Sequence, residues 1–369
     1  MSGPPRAHPP GSASSSRTSW IVLTVILGGG ILGALVLLLV LGFWWSGSES
    51  GGMDGSVRRG AGELMEVVLE QRRSPHKVAV IHLQGIIGAS LRSADGEGLP
   101  GAIRDQLERI ARDKAVRAVV LRVDSPGGEV LASDEIHNAL QQFQTNRNIP
   151  VVASMGSLAA SGGYYVSAPC RWIVAHPLTL TGSIGVLFHG YNYRGLMDKV
   201  GVRPDVVKSG KLKDMFSGEQ RPDQVLPEEK AILQELVAES FQRFKQVVRE
   251  GRGEAQRQNA AQAGDPGRPL APNWEEFADG RILSGNQAYA LGLVDELGGL
   301  DTALTRARTL AGIPGATVVT YQSPTRLGDL FPFLGVTARE PVSFRLDGFP
   351  GLPTLPEGRL LFLSPLHAR

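Results

Sequence analysis

A chain of 369 residues with a formal net charge of +2 and 42% hydrophobic content has room for one large domain or two small ones, with a sizeable buried core. The near-neutral balance gives no electrostatic footprint for nucleic acid, so none is expected as a partner. The single cysteine, Cys170, excludes an internal disulfide and leaves the redox compartment unread.

Residues 1–18 are rich in Pro, Ser and Gly, carry Arg6 and Arg17 and no acid, and read as a disordered N-terminus. Trp20–Trp45 follows without a charge, and Thr24 is its one polar side chain. As a helix this run would be about 39 Å long, against roughly 30 Å for the hydrocarbon core of a bilayer. Trp20, Trp44 and Trp45 stand at its ends, where an aromatic belt belongs. The run is too long for the apolar region of a cleavable signal peptide, and no clear cleavage site accompanies it. Residues 19–45 are therefore expected to form a single transmembrane anchor. Two arginines precede the span, whereas Glu49 and Asp54 come first after it. That asymmetry leans towards a cytoplasmic N-terminus and an extracytoplasmic body.

Residues 46–75 read as a linker and membrane-proximal segment: Gly/Ser-rich to residue 62, then Glu63–Arg73, where alternating acids and apolars suggest a short helix. The folded body is expected over 76–320. It opens with a strand at Val78–Leu83, then a helix near Ile103–Asp113, the apolar run Ala118–Val123, a helix at Ser133–Gln144 and a strand from Val151. Strand, helix, strand, helix, strand with short connections predicts a parallel sheet covered by helices. In such folds functional residues collect at the C-terminal ends of strands.

Two glycine turns fall at those ends. Ser125-Pro-Gly-Gly128 follows a buried strand, and its backbone can aim an N–H group at an oxyanion, or it is a plain strand-to-helix turn. The second lies within Pro150–Val166, where Ser161 stands between Ala159-Ala160 and Gly162-Gly163. A serine at a strand-to-helix turn among small residues suits a nucleophile; taken alone it reads first as a helix cap. Thr179–Val186 adds Thr181, Ser183 and two glycines in a polar, close-packed segment. A serine nucleophile needs a base. Of seven histidines, His176 and His189 alone lie near glycine turns. Lysine is the alternative, from Ser209-Gly-Lys-Leu-Lys-Asp214. A lysine base must be neutral, which from a reference pKa of about 10.4 needs a shift of about 3 units, or about 4 kcal/mol, within what burial supplies.

These segments, with Asp279–Gly298, stand in the order found in bacterial signal peptide peptidases of the SppA type, and the chain resembles that family over about His76 to Gly312. The resemblance implies a ClpP/crotonase-like α/β fold and a membrane-anchored serine endopeptidase that degrades remnant signal peptides through an acyl-enzyme, with misfolded membrane or exported proteins as a second substrate class. It implies Ser161 as nucleophile, Lys213 as general base and Ser183 orienting the lysine. The N–H groups of Gly128 and Gly162 would form the oxyanion hole. Lys211 falls at a variable family position. No metal or other cofactor is implied. The expected location is the bacterial inner membrane, with the protease domain periplasmic. A single copy of the motifs resembles the short members, which form ring-like homo-oligomers with Ser and Lys of each site from adjacent protomers. Peptides are expected to add as a strand beside Gly128–Leu131, and the small and apolar turn residues suggest small or apolar side chains at the cleavage position.

Glu228–Glu250 has apolar residues at helical spacing and reads as a core or interface helix, and Leu300–Leu310 as another helix. Residues 321–369 form a Pro-rich apolar tail, too sticky for a free linker, which packs on a neighbour or lies in the cleft. Two rivals remain at this level: a crotonase-like acyl-CoA enzyme, and a catalytically silent membrane scaffold of the same fold.

Overall fold

The computed structural model describes residues 64–88, 98–262, 265–322 and 360–363. The expected N-terminal tail and membrane anchor lie outside them, as do most of the linker and most of the C-terminal tail. No helix among the described residues is long and apolar enough to cross a membrane.

The elements run β1 (Met65–Glu70), β2 (Lys77–Gln84), α1 (Gly98–Arg112), β3 (Val116–Ser125), β4 (Gly127–Glu129), α2 (Val130–Arg147), β5 (Val151–Ala160), α3 (Gly162–Ser167) and β6 (Trp172–Ala175). They continue with β7 (Leu180–Gly182), β8 (Leu187–Phe188), α4 (Arg194–Val200), α5 (Pro227–Gln262), β9 (Ile282–Ser284), α6 (Gly285–Ala290), β10 (Glu296–Leu297), α7 (Leu300–Ala311), β11 (Thr317–Gln322) and β12 (Leu360–Leu363).

The main sheet has the order β1-β11-β2-β3-β5-β6-β10, with β7 paired to the end of β5 and to β9. All its pairings are parallel except β1–β11 and β7–β9. Strands buried on both faces need near-continuous apolar sequence, and β2 shows the result. Ala79, Ile81 and Leu83 point into a core roofed by α1, α2 and α3, while Val78 and Val80 meet Ala303, Leu304 and Ala307 of α7 on the other face. Each such side chain contributes on the order of 1.5–3 kcal/mol by leaving water. Together these features make an α/β fold with a mostly parallel sheet and flanking helices.

The helix expected at Glu63–Arg73 is instead strand β1 where the chain is described. Its spacing of acids looks helical, but Val67 and Val68 are β-branched and β11 offers a free edge, and pairing to that edge decides the matter. Helix α5 runs past Glu250 to Gln262 and is tied down at its far end. Arg252 there forms a buried ion pair with Asp295 and donates to the Cys170 carbonyl at 2.9 Å. Asp295 also accepts the Ile173 N–H at 2.8 Å, so one carboxylate links α5, β6 and the start of β10.

Candidate active site

Strand β5 carries Ser161 at its end. The residue has φ 54 and ψ −117, and its hydroxyl does not cap α3. Positive φ is costly for a residue with a Cβ, about 1–3 kcal/mol when the surroundings impose it. Here they do. The Ser161 N–H donates to the Gly182 carbonyl at 2.8 Å, and the Ser161 carbonyl accepts the Tyr165 N–H at 2.8 Å. The residue is 1% exposed, and its Oγ has no hydrogen-bond partner among the described residues. A buried hydroxyl left unbonded costs about 1–3 kcal/mol. Two unfavourable terms at one serine are the signature of a group held for chemistry, and they answer the capping alternative.

The Pro-Gly-Gly turn lies against it. A Cβ on Gly162 would fall 2.7 Å from Ser133 Oγ, 3.0 Å from Gly127 Cα and 3.2 Å from the Gly128 nitrogen. Only glycine lets the two turns approach so closely. The direction of the Gly128 N–H follows from its neighbours. Gly127 O accepts from Ile87 N–H at 2.8 Å, and Glu129 N–H donates to Ile87 O at 2.7 Å. Backbone groups alternate along a strand, so Gly128 turns its N–H and C=O to the opposite edge. The Gly162 nitrogen approaches that edge: a Cβ on Gly127 would sit 2.6 Å from it. Two backbone donors from separate turns therefore meet beside a serine, an arrangement able to hold an oxyanion.

That edge is already filled. Strand β12 runs antiparallel to β4, with Leu361 opposite Glu129, Phe362 opposite Gly128 and Leu363 opposite Gly127. Its other edge pairs with β8. Phe362 is fully buried, stacked on Tyr165 with centroids 4.8 Å apart and tilted against Phe244 of α5 at 4.8 Å. Of the two seats open to the tail, the residues 360–363 thus take the cleft of their own chain, on the edge where an added strand was expected. Beyond β12 an apolar groove of about 990 Å³ continues along Val130, Leu131, Phe188, Phe216 and Leu236. A second cavity of about 550 Å³, between α2 and α5, is lined by polar groups such as Gln144, Arg171 and Glu254 and holds none of the candidate site residues.

Tyr165 is fixed from behind. Its hydroxyl donates to Asp134, which also pairs with Arg243 at 3.2 Å. Burial raises the Asp134 carboxyl, but the Tyr165 hydrogen bond and the Arg243 charge outweigh it and hold the group below the usual range. His137, edge-on to Tyr165, is buried, and that burial pushes it down to about 4. Sequence reasoning passed over Phe362, Tyr165 and Phe244; the one available signal was the apolar run Leu360–Leu363 in a Pro-rich tail.

The other candidates divide. Ser183 is buried with φ 49, directly after Gly182, whose carbonyl receives the Ser161 N–H. Lys213 is not brought to Ser161: it is exposed, in a run of turns, and Ser161 Oγ has no partner. Its neighbours are spent on surface ion pairs, Lys211 with Glu228 and Lys208 with Asp214, both at 2.7 Å. His176 and His189 do not bond Ser161 either; His176 Nδ1 accepts the Leu178 N–H at 3.2 Å.

Comparison with known proteins follows the same lines. The model of peptidase family S49 matches residues 144–314, and that of Clp protease matches 97–183. A protein of Enterococcus faecium bearing the name signal peptide peptidase SppA is 37% identical over 270 residues, covering 72% of this chain and 73% of that one. The chain belongs to peptidase family S49. A protease of Synechocystis is 40% identical over 237 residues, 64% of this chain and 75% of the other. The chloroplastic serine protease SPPA of Arabidopsis thaliana is 31% identical over 264 residues, 66% of this chain and 36% of its own length. The chain is accordingly a serine peptidase with a ClpP-like fold that binds peptide substrates.

Proposed function

We propose that this S49 peptidase is a membrane-anchored endopeptidase with a Ser161/Lys213 dyad. It degrades remnant signal peptides and misfolded membrane or exported proteins through an acyl-enzyme. The observation that carries this reading is Ser161: a strained, buried, unbonded hydroxyl beside two converging backbone N–H groups. Neutral Lys213 takes the Ser161 proton as Oγ attacks a peptide carbonyl, and Ser183 orients the lysine. The N–H groups of Gly128 and Gly162 hold the oxyanion, and water hydrolyses the ester.

In this reading residues 19–45 anchor the chain in the bacterial inner membrane, with residues 1–18 cytoplasmic. Residues 46–75 link the anchor to a periplasmic protease domain over 76–320, followed by the tail 321–369. The names of the E. faecium and Arabidopsis relatives support the activity. Adjacent protomers in a ring share each site. Two facts support sharing. Lys213 stands exposed on its own chain, and the segment leading to it leaves Val200, Val202, Val206 and Val207 exposed, the last at 97%. Burial against a neighbour would cover those side chains and give the lysine the desolvation that favours its neutral form.

The test is peptide hydrolysis by the full chain in detergent, as wild type, Ser161→Ala and Lys213→Ala, with oligomer size measured for each. Loss of activity in both variants with assembly intact supports the dyad. Activity regained on mixing the two dead variants supports shared sites. Activity kept in Lys213→Ala removes the dyad and returns attention to His176 and His189.

A further inference from the structure

We propose that Glu129 is a specificity-determining residue, which selects a lysine or arginine at the substrate position immediately before the residue whose carbonyl Ser161 attacks. The inference rests on the Ser161 reading above and adds a subsite and its chemistry.

The pairing of β4 gives the register of any strand added to it. The residue opposite Gly128 turns its carbonyl to the side of the Gly128 and Gly162 N–H groups, so that residue is the acyl one and its predecessor falls opposite Glu129, where β12 carries Leu361. Strand β4 reads Gly127-Gly128-Glu129. The residues on either side of the attacked bond therefore meet no side chain from β4, and Glu129 supplies the first one an added strand encounters. Directly opposed residues of an antiparallel pair share a face, with Cβ atoms about 4.5–5.5 Å apart. The acyl residue points to the other face, towards Tyr165 and Phe244, so the two subsites are separate.

The surroundings of that position suit a cation on an apolar stem. Glu129 is 8% exposed, and its side chain does not cap α2, the structural task its place at the helix start offers. Its backbone is committed on both sides. The N–H donates to the Ile87 carbonyl at 2.7 Å, and the carbonyl accepts the Ser133 hydroxyl at 2.8 Å, which fixes the direction of the side chain. On the far flank Leu361 pairs with Leu187 of β8, and Ile86 packs against it. A side chain there lies between an aliphatic wall and a carboxylate. Lysine and arginine have the matching build, a methylene stem that buries and a charged head that reaches beyond it. Leucine fills the aliphatic part alone, and an acidic residue would set like charges directly opposite each other. The contact is remote from the reacting atoms and unchanged as the carbonyl becomes tetrahedral, so it acts on KM rather than kcat.

The experiment uses the full chain in detergent as wild type, Ser161→Ala, Glu129→Gln and Glu129→Lys. Denatured casein is digested and its cut sites are mapped by mass spectrometry. One mapped cut is remade as three peptides with Lys, Leu or Glu immediately before the acyl residue, and kcat and KM are measured for each. Wild type is expected to favour the Lys peptide over the Glu peptide by about 10–100-fold in kcat/KM, the scale of one charge-assisted contact, with the difference in KM. Glu129→Gln should bring the two peptides close to equal, and Glu129→Lys should reverse their order. Each ratio is taken within one variant, so a general loss of activity cannot imitate a reversal. Wild type that cleaves the Leu peptide through Ser161 without preferring Lys to Glu overturns this inference and leaves the Ser161 reading standing. A wild-type ratio kept in Glu129→Gln, or a Lys preference kept in Glu129→Lys, does the same. Wild type that cleaves nothing, or cleavage that survives in Ser161→Ala, overturns both.

Discussion

If Ser161 is held in a conformation suited to attack rather than to stability, removing its side chain should strengthen the fold. The comparison that isolates backbone strain is Ser161→Gly against Ser161→Ala, because both lack the hydroxyl and differ only in the Cβ. At φ 54, ψ −117 a Cβ costs about 1–3 kcal/mol. Glycine removes that cost but enlarges the unfolded ensemble, which returns about 0.4–1 kcal/mol. The glycine variant should therefore be the more stable by about 1–2 kcal/mol, and for a domain of this size each kcal/mol raises Tm by roughly 2–4 °C. Both variants should be inactive. The assay is thermal and urea denaturation by circular dichroism at one fixed protomer concentration, since any self-association would also contribute to apparent stability. A glycine variant no more stable than the alanine variant would refute the reasoning, because the positive φ would then cost nothing.

Three more outcomes are expected. Gly128→Ala should lower kcat at least about 100-fold, the scale for losing one oxyanion donor, since the added Cβ collides with the Ile87 carbonyl and must displace β4; near-normal kcat would place the oxyanion elsewhere. Arg252→Met should cost about 3–5 kcal/mol by leaving Asp295 buried and unpaired, and the double variant Arg252→Met/Asp295→Leu should recover much of it in the same denaturation assay. His137 is held neutral by burial, down to about 4 from an ordinary 6.5. Between those values the unfolded chain binds the proton and the folded chain does not, so stability is full above pH 6.5 and falls by about 3 kcal/mol as pH drops to 4. His137→Phe should flatten the dependence of ΔG on pH in that window.

The elements most legible in the sequence are those whose burial is two-sided. Val78–Leu83 and Ala118–Val123 are strands whose near-continuous apolar runs suit a parallel sheet covered on both faces. Strand β5, expected from Val151, runs on through Gly156 to Ala160. That glycine leaves room for the Asp124 side chain, 2.9 Å from where a Cβ would sit. Ser161, Gly162 and Gly128 were legible because small residues in two turns imply close backbone approach, and the structure brings the three together. Two elements could not be read locally. Strand β1 exists because β11 offers it an edge, and β12 because β4 and β8 do. Both pairings join residues far apart in sequence, so the local pattern of either segment does not announce its partner. Lys213 was placed by motif alone, in turns where no packing on its own chain fixes the side chain.

The site is thus built in two parts of unequal rigidity. Ser161 and the Gly128 and Gly162 N–H groups, proposed as nucleophile and oxyanion donors, sit where the sheet and two glycine turns over-determine the backbone, so the strain at Ser161 is sustained by the whole core. The proposed base stands on a surface segment with exposed valines. Lys213 is exposed and Ser161 Oγ has no partner among the described residues, so on this reading the single chain lacks a base at its serine. If, as proposed, assembly brings a neighbour's lysine to the serine, activity depends on protomer concentration, whereas that of a self-contained site does not. That dependence is measurable: specific activity of the full chain should fall on dilution through the range where the oligomer dissociates. Constant specific activity in dilute, demonstrably monomeric enzyme would mean that the chain completes its own site, by moving the segment around Lys213 towards Ser161 or by using a different base.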